Sequence, residues 1–146
     1  MLTTDQESDS HIVELVDDDP EAVDIMIDFF YIFDIYDFVD QLEMSKVYAL
    51  ADKYGCKDLK PLAARRFDIL IQLSDSDLSM TEAAMRHVYE STPDSDRGLR
   101  DICCQQFERW AQRRNKGRNA EVRALLEAVP AFAVDVAKSQ LKDSQT

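Results

Sequence analysis

The sequence predicts a mainly α-helical fold, a cluster of helices with one short strand as an α+β remnant. Three observations carry this expectation. Glycine and proline are scarce, 3 and 4 in 146 residues, and a many-turned β fold needs both. Residues 46–67 read as two amphipathic helices joined by a sharp corner. Residues 22–33 are the most apolar stretch, with acids returning only at helical spacing. The length suits one domain with its own core, and an apolar content of 45 % argues against global disorder.

Residues 1–10 are polar and acidic and are expected to be disordered. Residues 11–16 (HIVELV) are short, β-branched and partly alternating, which predicts a strand with Val13 and Leu15 on its apolar face and Ile12 beside Glu14 on the other. Asp19 is a candidate helix N-cap and Pro20 a first helical residue, with Asp17, Asp18 and Glu21 complementing the positive helix end. Three consecutive aspartates also suit a divalent cation, but the glycine and distal glutamate of a calcium loop are absent, which favours capping. Over residues 22–33, Glu21, Asp24 and Asp28 mark one wet stripe. Val23, Ile25, Met26, Ile27, Phe29, Phe30, Ile32 and Phe33 cover most of the remaining circumference, so this helix is expected at the centre of the core. Residues 34–40 alternate acidic with apolar side chains and predict a short extended segment. Its Ile35, Tyr36 and Phe38 are expected to be more exposed than the core. With Ile12, Val13 and Phe33 they are the candidate partner contacts.

In the central pair, Val47, Leu50, Ala51 and Tyr54 recur at i, i+3, i+4 and i+7. Gly55 follows, where a left-handed backbone ends a helix without steric cost. Leu59, Leu62, Ala63, Phe67 and Leu70 form the second stripe, with Pro61 in its first turn. The predicted core is Phe29, Phe30, Val47, Leu50, Tyr54, Leu59, Leu62 and Phe67. After a polar break at 73–78, Ser79 and Glu82 have capping-box spacing and predict a helix from Met80 that stops near Thr92 and Pro93. A longer helix is expected over 96–114, with Leu99, Ile102, Cys103 and Trp110 inward and Phe107 close by. A loop at 115–118 follows. Asn119 then caps a helix through Val129, and Pro130 starts the last one, with Phe132, Ala133 and Val136 on one stripe. Residues 142–146 are expected to fray.

The net charge of −12 falls within residues 1–60, and residues 61–146 are neutral overall. An acidic front half repels a nucleic-acid backbone and suits a partner with basic patches. The longest wholly apolar runs, such as 29–33, are far too short to span a membrane. The thiols Cys56, Cys103 and Cys104 are odd in number and partly adjacent, which fits a reducing compartment. The N-terminus carries no secretory signal, so an intracellular protein of cytoplasm or nucleus is expected. His11 and His87 have no cysteine at zinc spacing, and no phosphate-binding glycine loop or nucleophile elbow occurs. No catalytic residue, metal or cofactor is expected. The basic cluster 113–118 fits cations at a helix C-terminus, or else a nuclear-import or phosphate contact.

The Asp17–Ala22 run, the Tyr31-containing corner, then Val47-Tyr48-Ala49-Leu50-Ala51-Asp52-Lys53-Tyr54-Gly55 and Leu59-Lys60-Pro61-Leu62-Ala63 together resemble the BTB/POZ domain, especially its fungal branch, over residues 11–67. Residues 88–93 and 96–101 resemble the helical extension that follows many fungal members. After the segment 1–10, the resemblance implies a partial BTB/POZ-like core at 11–72 and a C-terminal helical extension at 73–146. It implies a protein-interaction module without catalytic residues, serving self-association or acting as a substrate adaptor for a cullin-type ubiquitin ligase. The family's leading β-hairpin and dimerisation helix have no counterpart before His11. The family's corner Tyr-Thr-Gly is replaced by Tyr31-Ile32-Phe33. A strand at 11–16 without neighbours would expose an edge that invites a second chain. The contrasting readings are a small helical enzyme or metal-binding protein, and a nuclear regulatory protein that uses residues 113–118.

Overall fold

The computed structural model describes residues 17–35, 39–73, 78–113 and 116–144, with the side chains of 116 and 117 left aside. The expected strand at 11–16, with Ile12 and Val13, lies outside the described residues, as do the segment 1–10, Tyr36 and Phe38. The chain is mainly α: seven helices and no strand among the described residues. They are α1 (Pro20–Ile32), α2 (Gln41–Lys53), α3 (Leu59–Leu73), α4 (Leu78–Ser91), α5 (Arg97–Arg113), α6 (Lys116–Ala128) and α7 (Pro130–Ser144).

α1 begins where its caps dictate. The Asp19 carboxylate accepts from the Ala22 N–H at 3.0 Å, and Pro20 occupies the first turn. Ala22, Ile25, Met26 and Phe29 form its buried stripe and pack chiefly on α2. The expectation that α1 is central is corrected: it lies at the edge of the bundle. Phe30, expected in the core, is 54 % exposed. Ile35, expected as an exposed partner contact, is only 3 % exposed.

The central helix is α2, which touches α1, α3 and α4. Its buried residues include Met44, Ser45, Val47, Tyr48, Leu50 and Ala51, which together wrap most of its circumference. Alanine and serine at this crossing admit close neighbours, so burial follows side-chain size and position more than hydropathy. α2 starts at Gln41, ahead of the expected 46, because Asp40 accepts from the Glu43 N–H at 2.8 Å. It ends at a Schellman turn. The Cys56 N–H reaches Ala51 O at 2.8 Å, the Gly55 N–H reaches Asp52 O at 3.3 Å, and Gly55 is left-handed at φ +68°.

α3 buries Leu59, Ala63, Phe67 and Ile71 against α2 and α5. Leu62 and Tyr54 are half-buried against the same core. Gly98, in the first turn of α5, lies against the buried Tyr48 ring, where a Cβ would run into the hydroxyl and come 3.0 Å from Cζ. That hydroxyl donates to Asp96 at 2.6 Å, which fixes the corner between α4 and α5. Buried side chains from Ala22 to Val136 form one cluster that crosses the expected division at 72–73.

Three further boundaries are corrected. α4 starts at Leu78, which puts Ser79 inside the helix. α6 starts at Lys116, so Asn119 is an interior residue and the expected loop at 115–118 is largely helix. α7 runs to Ser144, well into the expected frayed tail. Of the basic cluster, Arg113 ends α5, but Lys116 to Arg118 sit at the start of α6, where the helix dipole disfavours cations. Among the described residues of the cluster, the dipole explanation therefore covers Arg113.

Candidate interaction surface

The C-terminal half of α1 turns a dense apolar surface to solvent. Ile27 and Ile32 are exposed, Phe30 is 54 % exposed, Tyr31 80 % and Phe33 71 %. Single exposed apolar residues are ordinary, but five within seven consecutive positions concentrate apolar surface at one helix end, a feature of interaction sites. The helix produces it because residues 27, 30 and 31 lie opposite the buried stripe 22, 25, 26 and 29.

Phe33 closes the helix in the left-handed conformation, φ 54° and ψ 29°, with its N–H bonded to Phe29 O at 2.7 Å. The corner thus keeps the backbone geometry that glycine favours while carrying a phenyl group. That conformation costs a non-glycine residue about 1–2 kcal/mol. The ring lies edge-on to Phe29 with centroids 5.9 Å apart, which returns about 0.5–1.5 kcal/mol. Phe33→Gly removes the strain and the ring contact together. Its stability is expected to stay within about 0.5 kcal/mol of wild type. A fall in melting temperature beyond about 5 °C would contradict this balance.

Of the six candidate partner contacts, Phe33 is on this surface and Ile35 is beneath it, buried; Ile12, Val13, Tyr36 and Phe38 lie outside the described residues. The predicted core residues Phe29, Val47, Leu50, Leu59 and Phe67 are buried, whereas Phe30 belongs to the exposed patch.

Beside the patch, the junction of α1 and α2 is acidic. Glu21, Asp24, Asp28, Asp40 and Glu43 line a cavity of about 310 Å³ floored by Ile25 and Val39. Glu43 is 8 % exposed, and its carboxyl is hydrogen-bonded to that of Asp19. Burial, then the adjoining Asp19 carboxylate, push its pKa from 4.5 up to about 8, against the weaker pull of Lys46 at 3.9 Å. Between pH 4.5 and 8 the folded chain keeps a proton that the unfolded chain releases, so stability falls as pH rises through that window. Glu43→Gln is expected to flatten this slope and to gain about 2 kcal/mol at pH 8. Urea unfolding at pH 5 and pH 8 checks it; equal effects at both pH values would remove Glu43 as the cause. Asp19 is shifted the opposite way, down, by its bond with Glu43.

Polar pairs elsewhere read as structural ties. The Ser45 hydroxyl donates to Leu42 O at 2.6 Å and lies 3.0 Å from His87 Nδ1. This serine–histidine contact links α2 to α4, but Ser45 is fully buried and no substrate reaches it. Cys103 and Cys104 are buried, and burial pushes the Cys104 thiol up to about 11, away from the reactive thiolate. Cys56 is half-buried, with its sulfur 3.9 Å from that of Met26. Among the described residues no group of His, Cys, Asp or Glu is arranged to hold a metal ion. No helix among them is long and apolar enough to cross a membrane.

Sequence reasoning missed the capping pair Asp40 and Glu43, whose spacing of three is the available signal. It also missed Asp135, whose partners are distant in sequence. No family model, no curated protein and no solved structure matches this chain.

Proposed function

We propose that this chain is a protein-interaction module of BTB/POZ type, with the aromatic end of α1 as its docking face and a cullin-type ligase scaffold as its occupant. The observation that carries the reading is the exposure of Phe30, Tyr31 and Phe33 at the end of one helix. The helix–corner–helix run from Val47 to Ala63, which motivates the resemblance, supports the partner class. Aromatic side chains dominate interface energetics when a partner buries them.

Calorimetry with a purified N-terminal region of a cullin-type scaffold tests the proposal. Wild type binds, and the double variant Phe30→Ser with Tyr31→Ser loses at least about tenfold in affinity, or about 1.4 kcal/mol. Both positions are exposed, so the variant keeps the wild-type circular dichroism spectrum. Absence of wild-type binding, or equal affinity for both chains, overturns the proposal. A wild-type dimer that the double variant dissolves, seen by sedimentation, would transfer the face to a second copy.

A further inference from the structure

Among the described helices, α1 packs chiefly on a single neighbour, α2, whereas each of the others packs on at least two. Its ends are tied by ion pairs. Before it, Asp18 accepts from Lys53 Nζ at 2.8 Å and from the Tyr54 hydroxyl at 2.6 Å. After it, Asp34 accepts from Arg66 Nη2 at 2.8 Å. Both cations are partly exposed, and exposed ion pairs hold a helix only weakly. An element with one packing neighbour and exposed ties opens at lower cost than the whole fold.

The tie where α1 crosses α2 is of another kind. The carboxyl of the buried Glu43 on α2 meets that of Asp19, the N-cap of α1. Two carboxyls in contact do not both ionise, so they share one proton. Lys46 Nζ, 3.3 Å from Asp19 and 3.9 Å from Glu43, is the cation facing both. On one side of the crossing stand Glu21, Asp24 and Asp28 of α1 with Asp40 ahead of α2, and all add negative charge. On the other, Asp17, Asp18 and Lys53 line a second cavity with Asp19 and Lys46, and His87 joins them from α4.

We propose that α1 opens from the bundle as a unit and that the Asp19–Glu43 pair is its pH-sensitive latch, closed by one shared proton and released as that proton leaves. The inference goes beyond the docking function and does not depend on it. Lifting α1 takes Asp19 away and returns Glu43 to water, where its carboxyl ionises as in the unfolded chain. The open form then binds fewer protons than the closed one, so opening grows as pH rises from 4.5 to about 8. His87 works in the opposite sense. Burial, then Lys46, lower its pKa, so the acid that closes the latch on α1 loosens the Ser45–His87 contact between α2 and α4.

Amide hydrogen exchange on the full chain, read helix by helix, tests the latch. Each rate is divided by the intrinsic rate of that amide, so the base catalysis of exchange itself cancels. The amides of α1 are expected to be at least about tenfold less protected than those of α3, which marks opening of α1 alone. Their protection is expected to fall at least about fivefold between about pH 6.5 and 7.5, a range in which native His87 is already neutral. Glu43→Gln keeps the shape and donates an amide N–H to Asp19 at every pH, so its α1 protection is expected to stay level across the range. Equal protection of α1 and α3 would show that α1 leaves only with the whole fold. That result, a wild-type α1 insensitive to pH, or a fall that persists in Glu43→Gln each overturns the proposal. The wild-type comparisons stand whether or not the variant folds.

Discussion

Replacing Asp135 with alanine is expected to destabilise the chain by about 3 kcal/mol. This carboxylate on α7 ties three helices together. Its Oδ2 accepts from the Tyr89 hydroxyl of α4 at 2.6 Å, and both oxygens accept from Arg97 Nη2 of α5 at 3.0 Å. The Cys104 thiol of α5 adds a contact at 3.4 Å. Burial works against the charge, but Tyr89 and Arg97 outweigh it and hold the acid below its usual range. Alanine strands the buried Tyr89 hydroxyl beside only the Cys104 sulfur at 3.9 Å. Arg97 is partly exposed and regains water, which keeps the loss at the lower end of the range for a broken buried pair. Asp135→Asn still accepts from Tyr89 and is expected to lose less. Urea unfolding with an unchanged slope is the check; a loss under about 1 kcal/mol would show that the tie is slack.

The second large effect is expected at Phe67. It is fully buried in α3, on the stripe Leu59, Ala63, Phe67 and Ile71 between α2 and α5. Phe67→Ala removes the ring and leaves a cavity that two rigid helices cannot close, a loss of about 4 kcal/mol. Phe67→Leu fills most of that space and is expected to lose only about 1 kcal/mol. Phe30→Ser provides the contrast. It alters a phenylalanine of an apolar helix, yet this ring is more than half exposed, so the stability change is expected within about 0.5 kcal/mol. Parallel denaturation of the three variants separates core from surface; a Phe30→Ser loss comparable to Phe67→Ala would place Phe30 in the core after all.

That contrast shows how far the sequence was legible. Helix type and the sharp corners were readable from local chemistry. Asp19 and Pro20 start a helix, Gly55 ends one, and Pro130 opens the last, because caps act within a turn of their own residue. The ranking of helices by depth was not readable from hydropathy. α1 carries Ile27, Phe30, Tyr31, Ile32 and Phe33 yet lies at the edge, whereas α2 carries Gln41, Glu43 and Ser45 and is buried. Burial is set by which helices cross, and small residues such as Ser45 and Ala51 at the crossing decide it. A helix apolar on all sides is therefore either a core helix or a docking helix, and periodicity alone treats the two alike. The acidic groove was half visible. Its carboxylates are plain in the sequence, but their meeting across α1 and α2 depends on the start of α2 at Gln41. Asp135 was invisible because its partners lie 31 to 46 positions away.

Photo-crosslinking from position 31 tests the central claim most directly. A benzoylphenylalanine at Tyr31 is mixed with the purified scaffold region, and the same group at Leu141, exposed on α7, serves as the control. A crosslinked complex is expected from position 31 and none from position 141. Crosslinking from 141 alone, or with equal yield from both, would contradict the assignment of the aromatic end of α1 as the docking face.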